Sequence, residues 1–546
     1  MSHRISFKLF ESLTPAGIVA AVVVFTVSSF VVDFARKPRY PDALPRVGSG
    51  GGSFLGTLRN CFLFITRYNS WVTEGYEKYS KHGRAFVVPS APSRPQEIVV
   101  PRSQTAWMLE LPDRVLSTQE AHEDALYNDY QFFGVDDQLP IQTIHRSLAR
   151  NLVGLIPGVQ EEVHGAIDAT FGKDTEGWKS LTLWDAWLGI VPRVTNRIIV
   201  GAPLCRNQEF LDSQVAFADD IIRNSFILAM FPRIFQPLVA PFLVLANWWH
   251  WRKSYRHAKP LIEQRLHDMA RKASGADPAY EDWQPPEDMV TWLIRQATAD
   301  GLGPKLTAEV VSKGILPVEF AAIHTTVMTG FNLLLDLLSS DPALGYLETI
   351  REETARVFAE ESGAWTKQGL TRLHRTDSAI KESMRLSHMA RALTHRKVVA
   401  REGVTNAAEG WHAPYGASLM LDLVGTHRDP ELYPDPDRYD PWRFSRQREE
   451  YEARPAGEKT DPDEAVRAKW LGMVTTSAEY LPFSHGRHAC PGRFFVAHEL
   501  KMILAYLVQN YEIKPLPERP KTMWLGANII PPVQAKIEVR RRKGTV

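Results

Sequence analysis

The sequence predicts a mainly α fold with a small β region, built as a single large domain. Helical periodicity dominates the chain. Strand-like runs are confined to the ends of the body: Ala85 to Val88 with Glu97 to Val100, Lys397 to Ala400, and Ala535 to Val539. The longest helical pattern, Ala308 to Leu338, is bounded after Ser340 by Asp341-Pro342, a helix stop. At 546 residues with 44% hydrophobic content the chain has ample material for a core. Its net charge of +1 gives no global attraction to nucleic acid, so any basic patch must be local. Cys61, Cys205 and Cys490 are too few and too scattered for a disulfide framework, which suggests a reducing compartment. No Asn-x-Ser/Thr sequon occurs, in keeping with a cytosolic bulk.

Between Glu11 and Asp33 lie 21 uncharged residues, of which Ala16 to Val32 are mostly Ala, Val, Ile and Phe. This length meets the lower limit for a bilayer span. Arg36-Lys-Pro-Arg39 follows without an A-x-A-like cleavage site, so the expectation is a retained anchor over residues 16–34, with residues 1–15 lumenal. Pro38, Pro41 and Pro45, then Gly48-Ser-Gly-Gly-Gly52, make residues 35–53 a hinge leading to a body at 54–546. The glycine run has no preceding strand and no Gly-Lys-Ser/Thr, so it is a connector and not a phosphate loop.

Ile144 to Leu152 reads as a basic helix carrying His145 and Arg146. Phe226 to Trp251 is heavily apolar and ends in Trp248-Trp-His-Trp251-Arg-Lys, a cluster suited to a membrane interface. Pro232, Pro237 and Pro241 argue against a second span there. In the long helical pattern, the small pair Ala321 and Ala322 leaves room for a flat ligand, and His324, Thr325 and Thr326 follow at once. Glu382 and Arg385 are neighbours on one helix face. From Gln447 to about Lys469 a charged, Pro-containing stretch reads as an exposed insertion.

The segment Phe483-Ser-His-Gly-Arg-His-Ala-Cys490-Pro-Gly492 precedes an apolar helical run from Phe494 to Val508. Gly486 and Gly492 permit tight turns against a flat group. A cysteine just before a helix meets exposed N–H groups that favour a thiolate, which is a strong iron ligand. Arg487 and His488 add positive charge suited to a ligand bearing two carboxylates.

This segment resembles the Phe-x-x-Gly-x-Arg-x-Cys-x-Gly signature of the cytochrome P-450 superfamily, with His488 where Arg is usual. The resemblance implies haem b with Cys490 as its axial thiolate, and Phe483, Gly486, His488 and Gly492 around it. His145 or Arg146, and Arg396 or Arg391 near His395, resemble the family's propionate contacts. Phe320-Ala-Ala-Ile-His-Thr-Thr326 resembles the oxygen-activating segment, with Thr325 and Thr326 retained and His324 in place of a carboxylate. Glu382-x-x-Arg385, with Arg443 of Pro441-Trp-Arg-Phe444, resembles a buried three-way ion pair.

By resemblance, the chain is a haem-dependent monooxygenase like the membrane-bound fungal members of secondary metabolism. O2, a lipophilic terpenoid-like or similar substrate, the lipid bilayer and an NADPH-cytochrome P-450 reductase are the implied partners, with no nucleic acid. The reductase is expected on a basic patch of Arg487, Arg493 and Lys501, and the protein in the endoplasmic reticulum membrane as a single-pass chain. A reductase-independent haem-thiolate isomerase or peroxygenase, and a non-catalytic haem-binding protein, are the alternatives.

Overall fold

A long helix, Ala308–Leu338, runs through the interior, and the site is arranged about it. The computed structural model describes residues 15–48, 54–134, 138–455, 458–459 and 461–544. The glycine connector and the lumenal segment therefore lie almost wholly outside the described residues. Thr307 caps the long helix by accepting from Val310 N–H at 3.2 Å, and Ser339 ends it two residues before Asp341 of the Asp341-Pro342 stop. From Thr326 to Leu338 it is buried nearly all round, as befits a helix apolar on every face. Gly330 lets Trp187 of the neighbouring helix Leu183–Ile199 approach: a Cβ there would meet the indole at 2.3 Å.

The helix Gln138–Phe171 reaches the same core by periodicity. Ile144, Leu148, Leu152, Ile156, Val159, Val163 and Ile167 recur at three- and four-residue steps and are all buried. Against this core pack Gln208–Met230, Met289–Ala299, Tyr346–Glu360, His374–Leu386 and Arg493–Asn510. The 39-residue helix Gln236–Ser274 lies along Gln208–Met230 and continues through Pro241 and Pro260.

The β region is a five-stranded sheet in the order Phe86–Val88, Glu97–Val100, Ser418–Leu421, Thr394–Val398, Leu116–Ser117. Glu97–Val100 runs parallel to Ser418–Leu421, and the other pairings are antiparallel. Its Ile98, Val99, Leu419 and Met420 are fully buried. A second sheet sets Lys536–Arg541 between Lys179–Thr182 and Tyr511–Ile513. The strand expected at Lys397 lies three residues earlier, because its register is fixed by pairing Thr394 with Leu421. The expected insertion contains two short helices, Arg446–Ala453 and Pro462–Lys469, joined by Arg454 on Glu464.

Among the described residues one helix, Ala308–Leu338, is long and apolar enough to cross a bilayer, and it is mostly buried in the core. Pro15–Arg36 forms a 22-residue helix.

Candidate haem site

Cys490 stands between a tight loop and the helix Arg493–Asn510. Its N–H donates to Phe483 O at 2.9 Å, which closes the decapeptide into a loop. Two residues of that loop take left-handed backbone, Gly486 at φ +75° and Ser484 at φ +57°. Gly486 is thus required for its conformation. Gly492 is not: its φ is −76°, and a Cβ there would lie 3.8 Å from the Cys490 sulfur. The expectation of a special backbone at Gly492 is corrected to closeness to sulfur.

Burial pushes the Cys490 thiol up, while N–H groups of Gly492 and Arg493 and the Arg493 charge oppose it. A thiol so placed gives up its proton when a metal takes the sulfur. Arg493 also ties the loop down, donating to Cys490 O at 2.7 Å and Val474 O at 3.1 Å.

Beside the loop lies a surplus of basic side chains. Arg396 is buried on the strand Thr394–Val398; Nη1 donates to His395 O at 2.8 Å, and its buried Nη2 has no partner among the described residues. Burial lowers its guanidinium to about 10, still a cation at neutral pH. His488 Nε2 and Arg487 Nη2 both meet Asp113 Oδ1, at 2.8 and 3.1 Å. His122 sits in the field of His395, Arg396 and His488, and burial first, then those charges, push it down to about 4. His145 feels His488 and Arg493 and is lowered chiefly by burial. Arg146, on the same turn, is exposed. Asp113 meets Arg487 and His488, and Glu97 lies 3.8 Å from His395, but neither reaches the orphaned Arg396 nitrogen, which a ligand bearing two anionic groups would fit. Arg391 is different: its guanidinium charge is already paired with buried Asp422 at 2.7 Å and its Nη1 bonds Asn69 and Thr73, although its Nε finds no partner among the described residues.

The long helix brings Ala321 and Thr325 to an accessible face, while Thr326 is buried. Thr325 Oγ1 donates to Ala321 O at 2.6 Å, and the helix stays continuous there. Its hydroxyl is satisfied one turn back, without a break in the helix. His324 Nε2 lies 2.8 Å from Asp219 Oδ1 of the helix Gln208–Met230.

Glu382 and Arg385 are fully buried, joined by two bonds of 2.8 and 2.9 Å. Arg443 Nε adds a third bond to Glu382 Oε1 at 3.0 Å. Lys501 is buried on Asp377 and Leu370 O, which removes it from the basic surface expected around Cys490.

A sequence profile described as Cytochrome P450 matches residues 123–539, well over half of the chain. The chain belongs to the cytochrome P450 family. This P450 is 31% identical, over 99% of its own length and 98% of the relative's, to the cytochrome P450 monooxygenase gloP of Glarea lozoyensis. It is 30% identical to the cytochrome P450 monooxygenase astC of Aspergillus terreus, over 92% of this chain and 93% of that one. In fold it resembles the retinoic acid-bound cyanobacterial CYP120A1, with a TM-score of 0.61 and 16% identity over 92% of this chain and 100% of the other. Like its family, this P450 is a haem-dependent monooxygenase using haem b on a cysteine thiolate, O2, a substrate and, as is usual in the family, a redox partner.

Asp113, His122 and Asp219 escape sequence reasoning. Each acts through a residue more than one hundred positions away, and no local spacing marks it.

Proposed function

We propose that this P450 inserts one atom of O2 into a C–H bond of a lipophilic secondary metabolite, terpenoid-like or similarly apolar, using electrons from NADPH through a cytochrome P450 reductase. The observation that carries this reading is the Cys490 sulfur, held at the start of a helix by two N–H groups beside a cluster of basic side chains. Bound haem supplies the activation of O2. The chain's own residues do the rest. Cys490 ligates the iron, and Arg396, His488 and His145 or Arg146 take the propionates. Phe483, Gly486 and Gly492 shape the loop against the ring. Thr325 presents a hydroxyl whose lone pairs remain open to accept, and Thr326 packs behind it. Ala321 and Ala322 keep that face of the helix low enough for O2 and substrate.

The apolar character of the substrate follows from the proposed surroundings. The reading has Pro15–Arg36 as a single span in the endoplasmic reticulum membrane, with the body cytosolic. Along Gln236–Ser274, the exposed residues Leu238, Phe242, Leu245 and Trp249 form one stripe at three- and four-residue steps, and Arg252, Arg256 and Lys259 continue it. Apolar, aromatic and cationic side chains in that order match hydrocarbon, interface and phosphate depths. A cleft of about 380 Å³ lies among Trp248, Trp249, Arg252, Lys253, Arg256 and Lys259. Arg233 N–H, just before this helix, approaches Asp33 of Pro15–Arg36 at 3.4 Å, a contact that supports reading the two helices as meeting one membrane. With Lys501 buried, the half-buried Arg493 and the exposed Arg487 are the cations of the expected patch left for an acidic reductase surface.

The test is expression with a reductase in membranes and mass spectrometry of metabolite extracts. A product heavier by one oxygen and dependent on NADPH is expected. Product formed equally well with peroxide and no reductase would overturn the electron route. The membrane reading fails if residues 35–546 show no association with lipid vesicles.

A further inference from the structure

We infer that Thr394 is a positioning residue for the sulfur ligand: its hydroxyl pins the left-handed Ser484 of the cysteine loop to the strand that carries Arg396, so that one strand holds both the sulfur and a propionate contact. The inference rests on the haem-thiolate reading above and names what keeps Cys490 in register with the buried cation.

Ser484 is where the loop is strained. Its φ is +57°, a backbone that glycine adopts freely and a residue with a Cβ does not. Such a conformation persists only where its surroundings over-determine it. Two bonds do so here. Ser484 N–H donates to Leu481 O at 2.9 Å, a turn within the local chain. Thr394 Oγ1 donates to Ser484 Oγ at 3.0 Å, and that bond comes from 90 positions upstream. The preceding residue, Phe483, accepts the Cys490 N–H on its carbonyl at 2.9 Å. Any displacement of Ser484 therefore moves the bond that closes the loop on the sulfur.

The point of attachment is stiff. Thr394 is 2% exposed, and its strand Thr394–Val398 lies between Ser418–Leu421 and Leu116–Ser117 in the five-stranded sheet. Thr394 is paired with Leu421 and Arg396 with Leu419. Residues two apart on a strand share a face, and Thr394, Arg396 and Val398 are the buried set. Thr394 meets the loop near its start, while Arg396, roughly 6.5 Å further along the strand, lies in the field of Arg487 from the same loop. The loop's other side-chain contacts differ in kind. Thr476 meets His485 Nδ1 at 2.9 Å from the segment leading into the loop, and Arg487 and His488 meet Asp113 at an exposed edge. Thr394 is buried and β-branched, so its hydroxyl has little freedom.

The test compares Thr394→Val, Thr394→Ser, Ser484→Gly and the double variant Thr394→Val with Ser484→Gly, each as the full haem-loaded chain. The carbon monoxide complex of the reduced protein is held at raised temperature, and the decay of its thiolate band is timed. Thr394→Val, close in shape but without the hydroxyl, is expected to decay about fivefold faster than the parent, the worth of one hydrogen bond. Thr394→Ser keeps the hydroxyl and should stay within about twofold. In the Ser484→Gly background, where glycine takes the left-handed backbone unaided, adding Thr394→Val should change the decay by less than about twofold.

A Thr394→Val band as long-lived as the parent's would overturn the inference. So would a loss of the same size in the Ser484→Gly background, which would place the effect in the sheet and not in the loop. If Thr394→Val takes up no haem, recovery of loading in the double variant supports the pin, and continued failure overturns it. A parent with no thiolate band sinks the haem reading instead. The pin is then decided in the apoprotein by hydrogen exchange at the Cys490 amide: faster exchange in Thr394→Val supports it, and unchanged exchange overturns it.

Discussion

Arg391 and Arg396 look alike in the sequence, and both are buried, yet Arg391 is paired with a carboxylate while Arg396 makes no ion pair among the described residues. The difference lies in Asp422, Asn69 and Thr73, which the fold delivers to Arg391 and no local pattern foretells. Replacing Arg396 with Gln is expected to weaken haem retention by about tenfold while the folded chain persists, measured by haem titration against thermal unfolding. Arg391→Gln is expected to lower the melting temperature whether or not haem is bound, because Asp422 is left buried and unpaired. The same lesson applies to Lys501, which spacing puts near Cys490 and burial withdraws from the surface. Cys490, Gly486 and Thr325 were legible because backbone and sequence neighbours set their surroundings. Asp113, His122 and Asp219 were not, because theirs are set by packing of distant elements.

At the scale of elements, Glu382 and Arg385 share one turn of His374–Leu386, and Arg443 reaches them from a loop 61 residues past Glu382. Removing one partner of a buried pair leaves an uncompensated charge at a cost of about 3–5 kcal/mol. Glu382→Ala is therefore expected to yield little folded, haem-bearing protein. Arg443→Ala should be milder, because Arg443 is partly exposed and water can replace it. Helix packing gives a second prediction. Alanine at Gly330 gains up to about 1 kcal/mol in helix propensity. It also drives a Cβ into Trp187, and overpacking of a core costs about 1–3 kcal/mol. Gly330→Ala should thus lower the melting temperature despite the better helix former. The length of Ala308–Leu338 and its stop were readable from the chain, but that closeness to Trp187 was not.

For the whole molecule, burial of titratable groups shapes how stability responds to pH. Glu319 is fully buried with Asn196 Nδ2 donating to it at 3.1 Å, and burial raises its carboxyl to about 8. Its folded value lies above the unfolded one, so its contribution is complete below the usual glutamate range and is lost as pH rises toward 8. Glu319→Gln cannot ionise. It is expected to match the parent near pH 5 and to exceed it near pH 8 by up to about 4 kcal/mol, read by thermal unfolding at both pH values. The fold class, the order of the motifs and the mainly helical body were all legible, since periodicity and spacing carry them. The parallel pairing of Glu97–Val100 with Ser418–Leu421 was not, because strands more than three hundred residues apart meet only through the finished core.

All the site assignments extend outward from sulfur on iron at Cys490. The most direct measurement is the carbon monoxide difference spectrum of the reduced, haem-loaded protein beside that of Cys490→Ser. The parent should show the red-shifted band of thiolate-ligated haem, and the variant should lose it. Equal haem binding with the same thiolate band in Cys490→Ser would contradict the account.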